Sequence, residues 1–486
     1  MRIILLKPNS PPHKGFLGSN YFTLPNIGIG IIAAILIEEG HEVFIKDPFL
    51  EGMDFEDTLS FILNKKIDIV GITTVSMHYE GALQLAREVK KRRQSTITIL
   101  GGPHFQGIGK ECLEKNAFFD YICVGEGDYL ISDLIKCNFN VHSFSEIAGL
   151  VYRNADGKVV SNGMGVTADL DKLPLPAYAH YPMPLSFYTP AVNNYKRLPT
   201  TAVMASRGCP STCTYCQSAL FKKNVRYFSV EYVIKHLKFL IENYGIKEIA
   251  FFDDIFTIKR SRIIEICDRM IEERLNLTWI CFIKANRIIT KEILRKMKTA
   301  GCWLVMPGVE SGSPDVLRKI GKADIKLDTV RRVCQDAYNV GIQTRPSFML
   351  GNPGDTRETM KETMDFALSL PLLHVGVTYF TPLPGTNAWE HISDYGTFDK
   401  SKPALNIVAS PTFIPHDLEI EDLEHEVENF YRKFYFRFSW VCRFIRYLDF
   451  HEIKKLFPGF LIAMKLWISV SKRKLSSMKK MLIASP

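Results

Sequence analysis

The sequence predicts an α/β protein with two successive parallel sheets and a helical extension at its C-terminal end. Short apolar segments alternate with stretches of helical periodicity over residues 1–140, and the alternation returns over residues 196–395. Strand–helix alternation favours parallel sheets whose strands are joined by crossover helices. The proline-rich residues 141–195 predict an extended connector. Residues 396–486 predict a basic, helical C-terminal region.

The first region predicts a doubly wound, Rossmann-like domain. Its strands are predicted to be short and buried: Ile3–Leu6, Glu42–Ile45, Ile69–Ile72, Thr98–Leu100 and Tyr121–Val124. Its predicted helices are Gly28–Glu39, Asp54–Asn64 and Glu80–Arg92. Ligands on such sheets lie beyond the carboxyl ends of the strands, so a ligand site is expected there.

The second region contains six predicted strand–helix units, which indicates a partial (β/α)6 barrel. The predicted strands are Thr201–Ser206, Glu248–Phe252, Trp279–Ile283, Trp303–Pro307, Gln343–Leu350 and His374–Phe380. Helical patterns between them include Val230–Asn243, Ile263–Arg274, Lys291–Lys298 and Thr329–Tyr338. Active residues of such barrels are expected at the carboxyl ends of the strands.

The composition is typical of a folded protein. Hydrophobic residues make up 46% of the 486 residues and charged residues 23%, which excludes a disordered chain. No apolar run reaches the roughly 18 residues of a membrane span. The first apolar segment stops at Lys7 and does not match a signal peptide. Scattered cysteines in apolar segments are typical of reduced core residues, so we expect a reducing, cytoplasmic location.

Three cysteines, Cys209, Cys213 and Cys216, follow the first barrel strand with the spacing C-x3-C-x2-C. Three thiolates this close can bind three irons of a 4Fe–4S cubane and leave the fourth iron open. Iron–sulfur clusters ordinarily use four cysteines, so a compact triad is unusual. The alternative is a zinc site, which normally shows two separated pairs or added histidines. The spacing therefore favours an iron–sulfur cluster with one open iron.

This loop resembles the signature of radical S-adenosylmethionine (radical SAM) enzymes, in which an aromatic at the position of Tyr215 packs beside the adenine. The resemblance implies that SAM chelates the open iron through its amino and carboxylate groups. It also implies that one electron cleaves SAM to a 5′-deoxyadenosyl radical, so an external one-electron reductant is expected. The protein's share is to bind and orient these cofactors.

Later barrel loops supply candidate SAM-binding residues. Glu310 and Ser311 lie in a stretch that resembles the family's Gly-x-Glu-Ser-Gly motif. Glu310 is expected to accept hydrogen bonds from the SAM ammonium or ribose, with Ser311 as a nearby hydroxyl partner. Asp253 is a candidate for contact with SAM or substrate, and loop capping is its alternative. Arg345 is a candidate partner of the methionine carboxylate, unless it is simply an inward-pointing barrel residue.

The glycine-rich strand ends of the first region, directly before a radical SAM domain, resemble the cobalamin-binding domain of cobalamin-dependent radical SAM enzymes. The segments Leu24–Gly30 and Glu39–Val43 also resemble that family. The resemblance covers residues 1–135 and implies cobalamin as a cofactor, approached closely by glycine backbone. The candidate cobalamin-binding residues are Thr74, Ser76, Gly101, Gly102, His104, Gly125, Glu126 and Gly127.

One departure concerns the cobalt ligand. Many cobalamin proteins carry Asp-x-His-x-x-Gly after the first strand, and the segment Lys7–Gly15 lacks this pattern. His78 lies in the segment Ser76–Gly81, which matches the motif only in part, because it follows the third strand and lacks the aspartate. We therefore interpret His78 as a polar loop residue. Cobalamin is expected to bind without a histidine ligand from this domain.

The two implied cofactors predict a class B-like methyltransferase acting on an unactivated carbon of a small molecule or lipid. One SAM would methylate cobalamin, and a second would provide the radical that makes the carbon accept methyl from methylcobalamin. Some relatives use the same cofactors for ring closure or rearrangement, and the motifs do not discriminate. A cobalamin-binding sensor is disfavoured by the intact triad. A methylthiotransferase is disfavoured because Cys112, Cys123 and Cys137 are widely spaced.

The positive charge is concentrated at the C-terminal end. The chain has a net charge of +9, and residues 427–486 contain 13 Lys and Arg against three Asp and Glu. The aromatic and cationic stretch Phe430–Trp440 and the apolar stretch Leu456–Val470 predict either helices that cap the barrel mouth or a surface that docks on anionic lipid. Nucleic acid is not an expected partner, because no recognisable RNA-binding module is present.

Overall fold

The computed structural model of the chain describes residues 1–8, 24–190, 194–221, 224–400 and 410–447. Both predicted parallel sheets are present within these ranges, and helices follow them at the C-terminal end. In the same ranges, no helix has both the length and the hydrophobicity needed to cross a membrane.

The first sheet has seven strands. They are β1 (Arg2–Leu6), β2 (Glu42–Lys46), β3 (Ile69–Thr73), β4 (Ile97–Gly101), β5 (Tyr121–Cys123), β6 (Leu150–Arg153) and β7 (Val159–Ser161). The helices are α1 (Ile27–Glu38), α2 (Pro48–Glu51), α3 (Phe55–Asn64), α4 (Tyr79–Arg92), α5 (Gly109–Lys115) and α6 (Leu130–Lys136). The spatial order is β2-β1-β3-β4-β5-β6-β7, with β1–β5 parallel and β6 and β7 antiparallel. The two antiparallel strands come from the predicted connector.

The apolar strands and the helix caps explain why this sheet forms. Alternate residues of β1 enter opposite cores, with Ile3 on one face and Ile4 on the other. Helix α1 begins after Asn26, whose side chain accepts a hydrogen bond from the backbone N–H of Ile29, and α3 begins with a capping box at Asp54. Because β3, β4 and β5 run parallel, the loops that follow them lie at one edge of the sheet.

The second sheet is the predicted partial barrel. Its strands are β8 (Thr200–Val203), β11 (Glu248–Phe251), β12 (Thr278–Ile283), β13 (Cys302–Glu310), β14 (Gln343–Thr344), β15 (Ser347–Leu350) and β16 (Gly376–Tyr379), with a separate ribbon of β9 (Ser206–Arg207) and β10 (Arg226–Tyr227). The helices are α7 (Val230–Tyr244), α8 (Arg260–Glu272), α9 (Lys291–Thr299), α10 (Pro314–Lys319), α11 (Leu327–Asn339) and α12 (Arg357–Ser369). The order β16-β15-β13-β12-β11-β8 is parallel throughout, with β14 beside β13. The fifth predicted strand is split before Pro346, which has no N–H for the ladder.

The C-terminal region is less uniformly helical than the sequence predicts. After α13 (Asn387–His391), which still belongs to the barrel region, it comprises a ribbon of β17 (Gly396–Phe398) and β18 (Phe413–Pro415), α14 (Ile420–Tyr435) and α15 (Phe438–Tyr447). Helix α14 packs on the last barrel strand, where the hydroxyl of Tyr431 donates to the carbonyl oxygen of Val377 at 3.2 Å. The predicted apolar stretch Leu456–Val470 lies outside the described residues.

Candidate active site

The three cysteines lie on one loop whose stem is the β9–β10 ribbon. The chain leaves β9 at Arg207, carries the cysteines, and returns through β10 at Arg226. Gly208 opens the loop with a φ of 93°, and a Cβ there would collide with the backbone oxygen of Asn224. The closure of the loop therefore requires glycine directly before Cys209.

Residues distant in sequence fix the middle of this cysteine loop. The N–H of Thr214 donates to the carbonyl of Ile320 at 3.1 Å, and its carbonyl accepts from the N–H of Ala388 at 2.8 Å. Gly321 has a φ of 75°, and a Cβ there would lie 2.7 Å from the carbonyl oxygen of Thr212. The ends of α10 and α13 therefore position the loop.

The chemistry of the three thiols suits an iron–sulfur cluster. All three are free; Cys213 is buried, and Cys209 and Cys216 are partly exposed. Nowhere in the described ranges do three His, Cys, Asp or Glu side chains gather around one point that could hold a single metal ion. The thiols of a cubane bind different irons, so they need not converge on one point. Burial raises the pKa of Cys213, while the charge of Lys322 opposes that rise and favours the thiolate that binds metal.

Glu310 ends β13 in a strained conformation. Its φ of 72° lies in the left-handed region, which residues other than glycine rarely adopt. The carboxylate is buried; Oε1 accepts from Nζ of Lys322 at 2.8 Å, and Oε2 accepts from the hydroxyl of Ser347 at 3.2 Å. Strain at a buried charged residue is typical of functional sites. A contact of Glu310 with SAM stays a prediction.

Two other predicted SAM contacts are bonded within the fold. The Oγ of Ser311 is fully buried, lies 3.1 Å from Oγ1 of Thr363 and accepts from the N–H of Ser313 at 3.1 Å. The carboxylate of Asp253 accepts from the N–H of Ala205 at 2.8 Å and from the hydroxyl of Ser206. Burial raises the pKa of Asp253 to about 6. The Asp253 contacts correspond to the loop-capping alternative.

Arg345 and Tyr215 face the barrel interior and its rim. The Arg345 guanidinium donates to the side-chain oxygen of Asn194 in the connector and lies 2.9 Å from the sulfur of Met306. Burial lowers the pKa of Arg345, and no carboxylate of the described residues forms an ion pair with it. The Tyr215 ring is partly buried, with its centroid 6.1 Å from that of Phe380. Arg345 therefore provides positive charge that a bound anion can neutralise.

The carboxyl edge of the first sheet forms a cradle of backbone and neutral groups. The N–H of Thr74 donates to the carbonyl of Gly101 at 2.8 Å, whereas its buried hydroxyl has no hydrogen-bond partner among the described residues. Gly102 has a φ of 99°, and a Cβ there would lie 2.6 Å from the Thr74 nitrogen. An unsatisfied buried hydroxyl beside a crowded glycine fits a site that a large ligand completes, and cobalamin is such a ligand.

His104 extends this cradle. Its Nδ1 lies 3.0 Å from the hydroxyl of Ser76, and its ring centroid is 4.2 Å from that of Tyr79. The buried Nε2 has no hydrogen-bond partner in the part of the chain that is described. Burial lowers the pKa of His104 to about 4, so the ring is neutral at pH 7. His78 is also buried, in the short 3-10 turn Ser76–His78.

The last predicted cobalamin loop, residues 125–127, contacts other parts of the protein. The N–H of Glu126 donates to the carbonyl of Gly165 at 2.9 Å, and its carboxylate pairs with Arg226 at 2.6 Å. A Cβ at Gly125 would collide with the Gly165 backbone, and one at Gly127 would lie 2.6 Å from the Cys123 sulfur. A role of these residues toward cobalamin stays a prediction.

A cavity of about 410 Å³ lies between the cysteine loop and the carboxyl edge of the first sheet. Residues from both sheets line it, including Pro103, Gln106, Glu126, Arg207, Cys216, Gln217, Arg226, Phe252 and Asp254. Gln217, directly after the last cysteine, donates from Nε2 to the carbonyl oxygens of Pro103 at 2.8 Å and Pro384 at 3.0 Å. The cysteine loop and the loop after β4 therefore face the same space.

Sequence reasoning missed Lys322, Arg207, Arg226 and Gln217. Gln217 directly follows the last cysteine and Arg207 comes two residues before the first, so their proximity to the triad in sequence could have indicated them. Lys322 reaches Glu310 only because α10 reverses the chain between them, which no local pattern indicates.

Comparisons with known proteins agree with this arrangement. A model of the radical SAM superfamily matches residues 203–367, and a model of the B12 binding domain matches residues 14–135. An uncharacterized methyltransferase of Pyrococcus horikoshii is 33% identical over 396 residues, which cover 80% of this chain and 83% of the relative. The anaerobic magnesium-protoporphyrin IX monomethyl ester cyclase of Rubrivivax gelatinosus is 25% identical over 445 residues, covering 90% of this chain and 77% of that enzyme.

Among solved structures, the radical SAM methyltransferase TsrM of Kitasatospora setae, with cobalamin and a [4Fe–4S] cluster bound, has the same fold. Its TM-score is 0.62 at 17% identity, over 82% of this chain and 76% of TsrM. Fold and site together define an enzyme that combines a radical SAM domain with a cobalamin-binding domain. The chain belongs to the cobalamin-dependent radical SAM family, in its methyltransferase-like class. Its cofactors are a 4Fe–4S cluster, SAM and cobalamin.

Proposed function

We propose that the protein transfers a methyl group to an unactivated carbon of a small molecule that binds between the two sheets. The observation that carries this proposal is the shared cavity. Cys216 lines one wall, and Pro103 and Gln106 of the loop after β4 line another. A substrate there meets both cofactor sites without leaving the cavity, and such proximity is a major source of rate enhancement.

When bound, the cluster and SAM supply a 5′-deoxyadenosyl radical, and cobalamin supplies the methyl group. The three cysteines of the loop hold the cluster. Glu310 accepts hydrogen bonds from SAM, and Lys322 holds the carboxylate in place. Arg345, which forms no ion pair with a carboxylate of the described residues, is the candidate for the SAM carboxylate. Tyr215 packs beside the adenine, and an external reductant supplies the electron.

The cobalamin site would use Thr74 and His104 as neutral hydrogen-bonding partners of the cofactor's amide groups. Histidine ligation of cobalt is not part of this proposal. The electron paramagnetic resonance spectrum of the cob(II)alamin-loaded protein tests it, and no histidine superhyperfine splitting is expected. A nitrogen splitting that disappears in His78→Ala or in His104→Gln would contradict the proposal.

Methyl transfer is tested with anaerobically reconstituted enzyme, reductant, SAM labelled with a trideuterated methyl group, and a metabolite extract as the source of substrate. We expect S-adenosylhomocysteine and 5′-deoxyadenosine to form together, with the labelled methyl carbon in a new product. A Cys213→Ser variant is the control and should form no 5′-deoxyadenosine. Formation of 5′-deoxyadenosine without any S-adenosylhomocysteine would overturn methyl transfer.

A second candidate is cyclisation or rearrangement with the same cofactors. It is favoured by the likeness to the Rubrivivax gelatinosus cyclase, which extends over 90% of this chain. In this case the product would gain no labelled carbon, whether the substrate loses hydrogen in a ring closure or keeps its composition in a rearrangement. The same experiment separates the two candidates, because only methyl transfer consumes a second SAM to give S-adenosylhomocysteine.

A peripheral contact with anionic lipid is the proposed role of the C-terminal surface. Phe436 and Phe438, at the junction of α14 and α15, are 69% and 83% exposed, and the cations Arg432 and Lys433 in the last turn of α14 are exposed as well. Exposed rings next to cations are typical of interfacial surfaces. Flotation with phosphatidylserine vesicles should be lost in the Phe436→Ser/Phe438→Ser variant and at high salt. Phe187→Ser, which removes another exposed ring, is the control; equal flotation of all three proteins would contradict the role.

A further inference from the structure

The stem of the cysteine loop places two arginines side by side. In the antiparallel β9–β10 ribbon, Arg207 lies directly opposite Arg226. Both side chains are only 10% exposed. Like charges in directly opposed positions destabilise an antiparallel pair. The stem therefore needs two negative charges from another part of the protein.

The cobalamin-binding domain supplies both. Asp128 accepts from the two terminal nitrogens of Arg207, at 2.6 and 3.1 Å. Glu126 accepts from those of Arg226, at 2.7 and 2.6 Å. Each pair is bidentate, a geometry that fixes the direction of the guanidinium as well as its distance.

The connector joins the two ion pairs into one cluster. Thr167 donates from its N–H to Glu126 at 2.7 Å and from its hydroxyl to Asp128 at 2.7 Å. Arg226 also donates to the carbonyl oxygen of Thr167. Both carboxylates are therefore held by the connector as well as by the arginines.

The barrel holds the opposite side of the same stem. Asp253 accepts hydrogen bonds from Ala205 and Ser206. Arg262 donates to the carbonyl oxygen of Ala205 at 3.0 Å and lies over the Tyr227 ring, 5.2 Å from its centroid. The stem is thus fixed between the barrel on one side and the cobalamin-binding domain on the other.

We propose that Glu126 and Asp128 are positioning residues, which set the distance and orientation of the cysteine loop relative to cobalamin. Cys209 follows Arg207 by two residues, so a rotation of the stem is transmitted directly to the cluster. The cavity lies beside this stem, and both arginines line it. The inference depends on the two bound cofactors and not on methyl transfer.

The test is the magnetic coupling between reduced cluster and cob(II)alamin, measured by pulsed electron paramagnetic resonance in full-length, doubly loaded enzyme. The wild type should give one narrow distance distribution. Asp128→Asn keeps the side-chain volume but removes the carboxylate that pairs bidentately with Arg207 and leaves only Glu126, 3.6 Å away, as its counter-charge. Its distribution should therefore broaden or shift while iron and cobalamin contents stay at wild-type levels. The control Glu292→Gln breaks the exposed Arg260–Glu292 pair, 2.7 Å apart, and should leave the distribution unchanged.

A second variant covers the case in which Asp128→Asn does not load its cofactors. Arg207→Lys keeps the positive charge but cannot form the bidentate guanidinium–carboxylate pair. It should therefore broaden the distance distribution less than Asp128→Asn does. Wild-type distance distributions in the loaded variants would overturn the proposal. Absence of methyl transfer in the wild type would leave the distance measurement valid.

Discussion

The two cofactor edges of the molecule are built from opposite chemistry. Around the cysteine loop, the functional side chains are buried charges: Glu310 is paired with Lys322, and Arg345 has no carboxylate partner among the described residues. At the carboxyl edge of the first sheet, the corresponding groups are neutral, namely the hydroxyl of Thr74 and the unprotonated ring of His104.

The difference is the one that the two ligands proposed for these edges would require. SAM carries an ammonium, a carboxylate and a sulfonium, and charged ligands are held by opposite charges in a site from which water is excluded. Cobalamin is a much larger ligand with many amide groups, and it is better recognised by backbone, shape and neutral hydrogen bonds. Losing a charge should therefore be most harmful at the barrel edge, and adding volume should be most harmful at the cobalamin edge.

The largest effect on ligand binding is expected for Glu310→Gln. The substitution removes the negative charge that neutralises Lys322 and replaces one of the two acceptor oxygens by an NH2 group. A hydrogen bond to a charged group contributes about 1.5–3 kcal/mol, so the SAM dissociation constant should rise about 10- to 100-fold by anaerobic equilibrium dialysis. Asp365→Asn breaks the exposed Lys361–Asp365 pair on α12 and is the control. If Glu310→Gln and wild type bound SAM with equal affinity, the charge of Glu310 would not contribute to SAM binding, and the proposed difference between the two edges would be wrong.

Two glycines of the cobalamin-binding domain test whether added side-chain volume is harmful at the cobalamin edge. Gly40 and Gly102 both have positive φ, 84° and 99°, but only a Cβ at Gly102 would meet backbone, 2.6 Å from the Thr74 nitrogen. Gly40→Ala should cost about 1 kcal/mol from backbone conformation alone. Gly102→Ala should cost roughly 3 kcal/mol, because strain and collision add, and should lose cobalamin on desalting. Denaturant unfolding and cobalamin content measure both, and equal losses would show that the cradle is not tightly packed.

What the sequence could predict was local. The cysteine spacing and the alternation of strands and helices are properties of short segments, and the family comparisons and the two sheets confirm the fold class. The exceptions are also local in origin: Pro346 divides one strand, and β6 and β7 arise in a segment whose prolines and turns predict a connector.

The site was less predictable because its partners are distant in sequence. Asp253 was a candidate ligand from its place at a strand end, yet its oxygens bind Ala205 and Ser206, which come 47 or more residues earlier. Glu126 was a candidate because it lies between two glycines, and the structure pairs it with Arg226, 100 residues away. Strand ends predict where a polar side chain lies, but only tertiary contacts determine whether it binds ligand or protein.

The smallest expected effect concerns the neutrality of His104. Burial lowers its pKa from 6.5 to about 4, so the unfolded chain binds more protons than the folded one between these values. The stabilisation is therefore fully present above pH 6.5 and is lost as the pH falls toward 4. His104→Gln should reduce the loss of unfolding free energy between pH 7 and pH 5 by about 2 kcal/mol.

Buried His236, whose pKa is lowered to about 3, keeps part of the pH dependence in this variant. Denaturant unfolding at both pH values measures the difference, with His142→Gln at an exposed site of the same region as the control. Identical pH dependence in wild type and His104→Gln would mean that His104 is accessible to protons in the folded protein. In that case His104 could become charged in the folded protein, and the cobalamin edge would not be a neutral site.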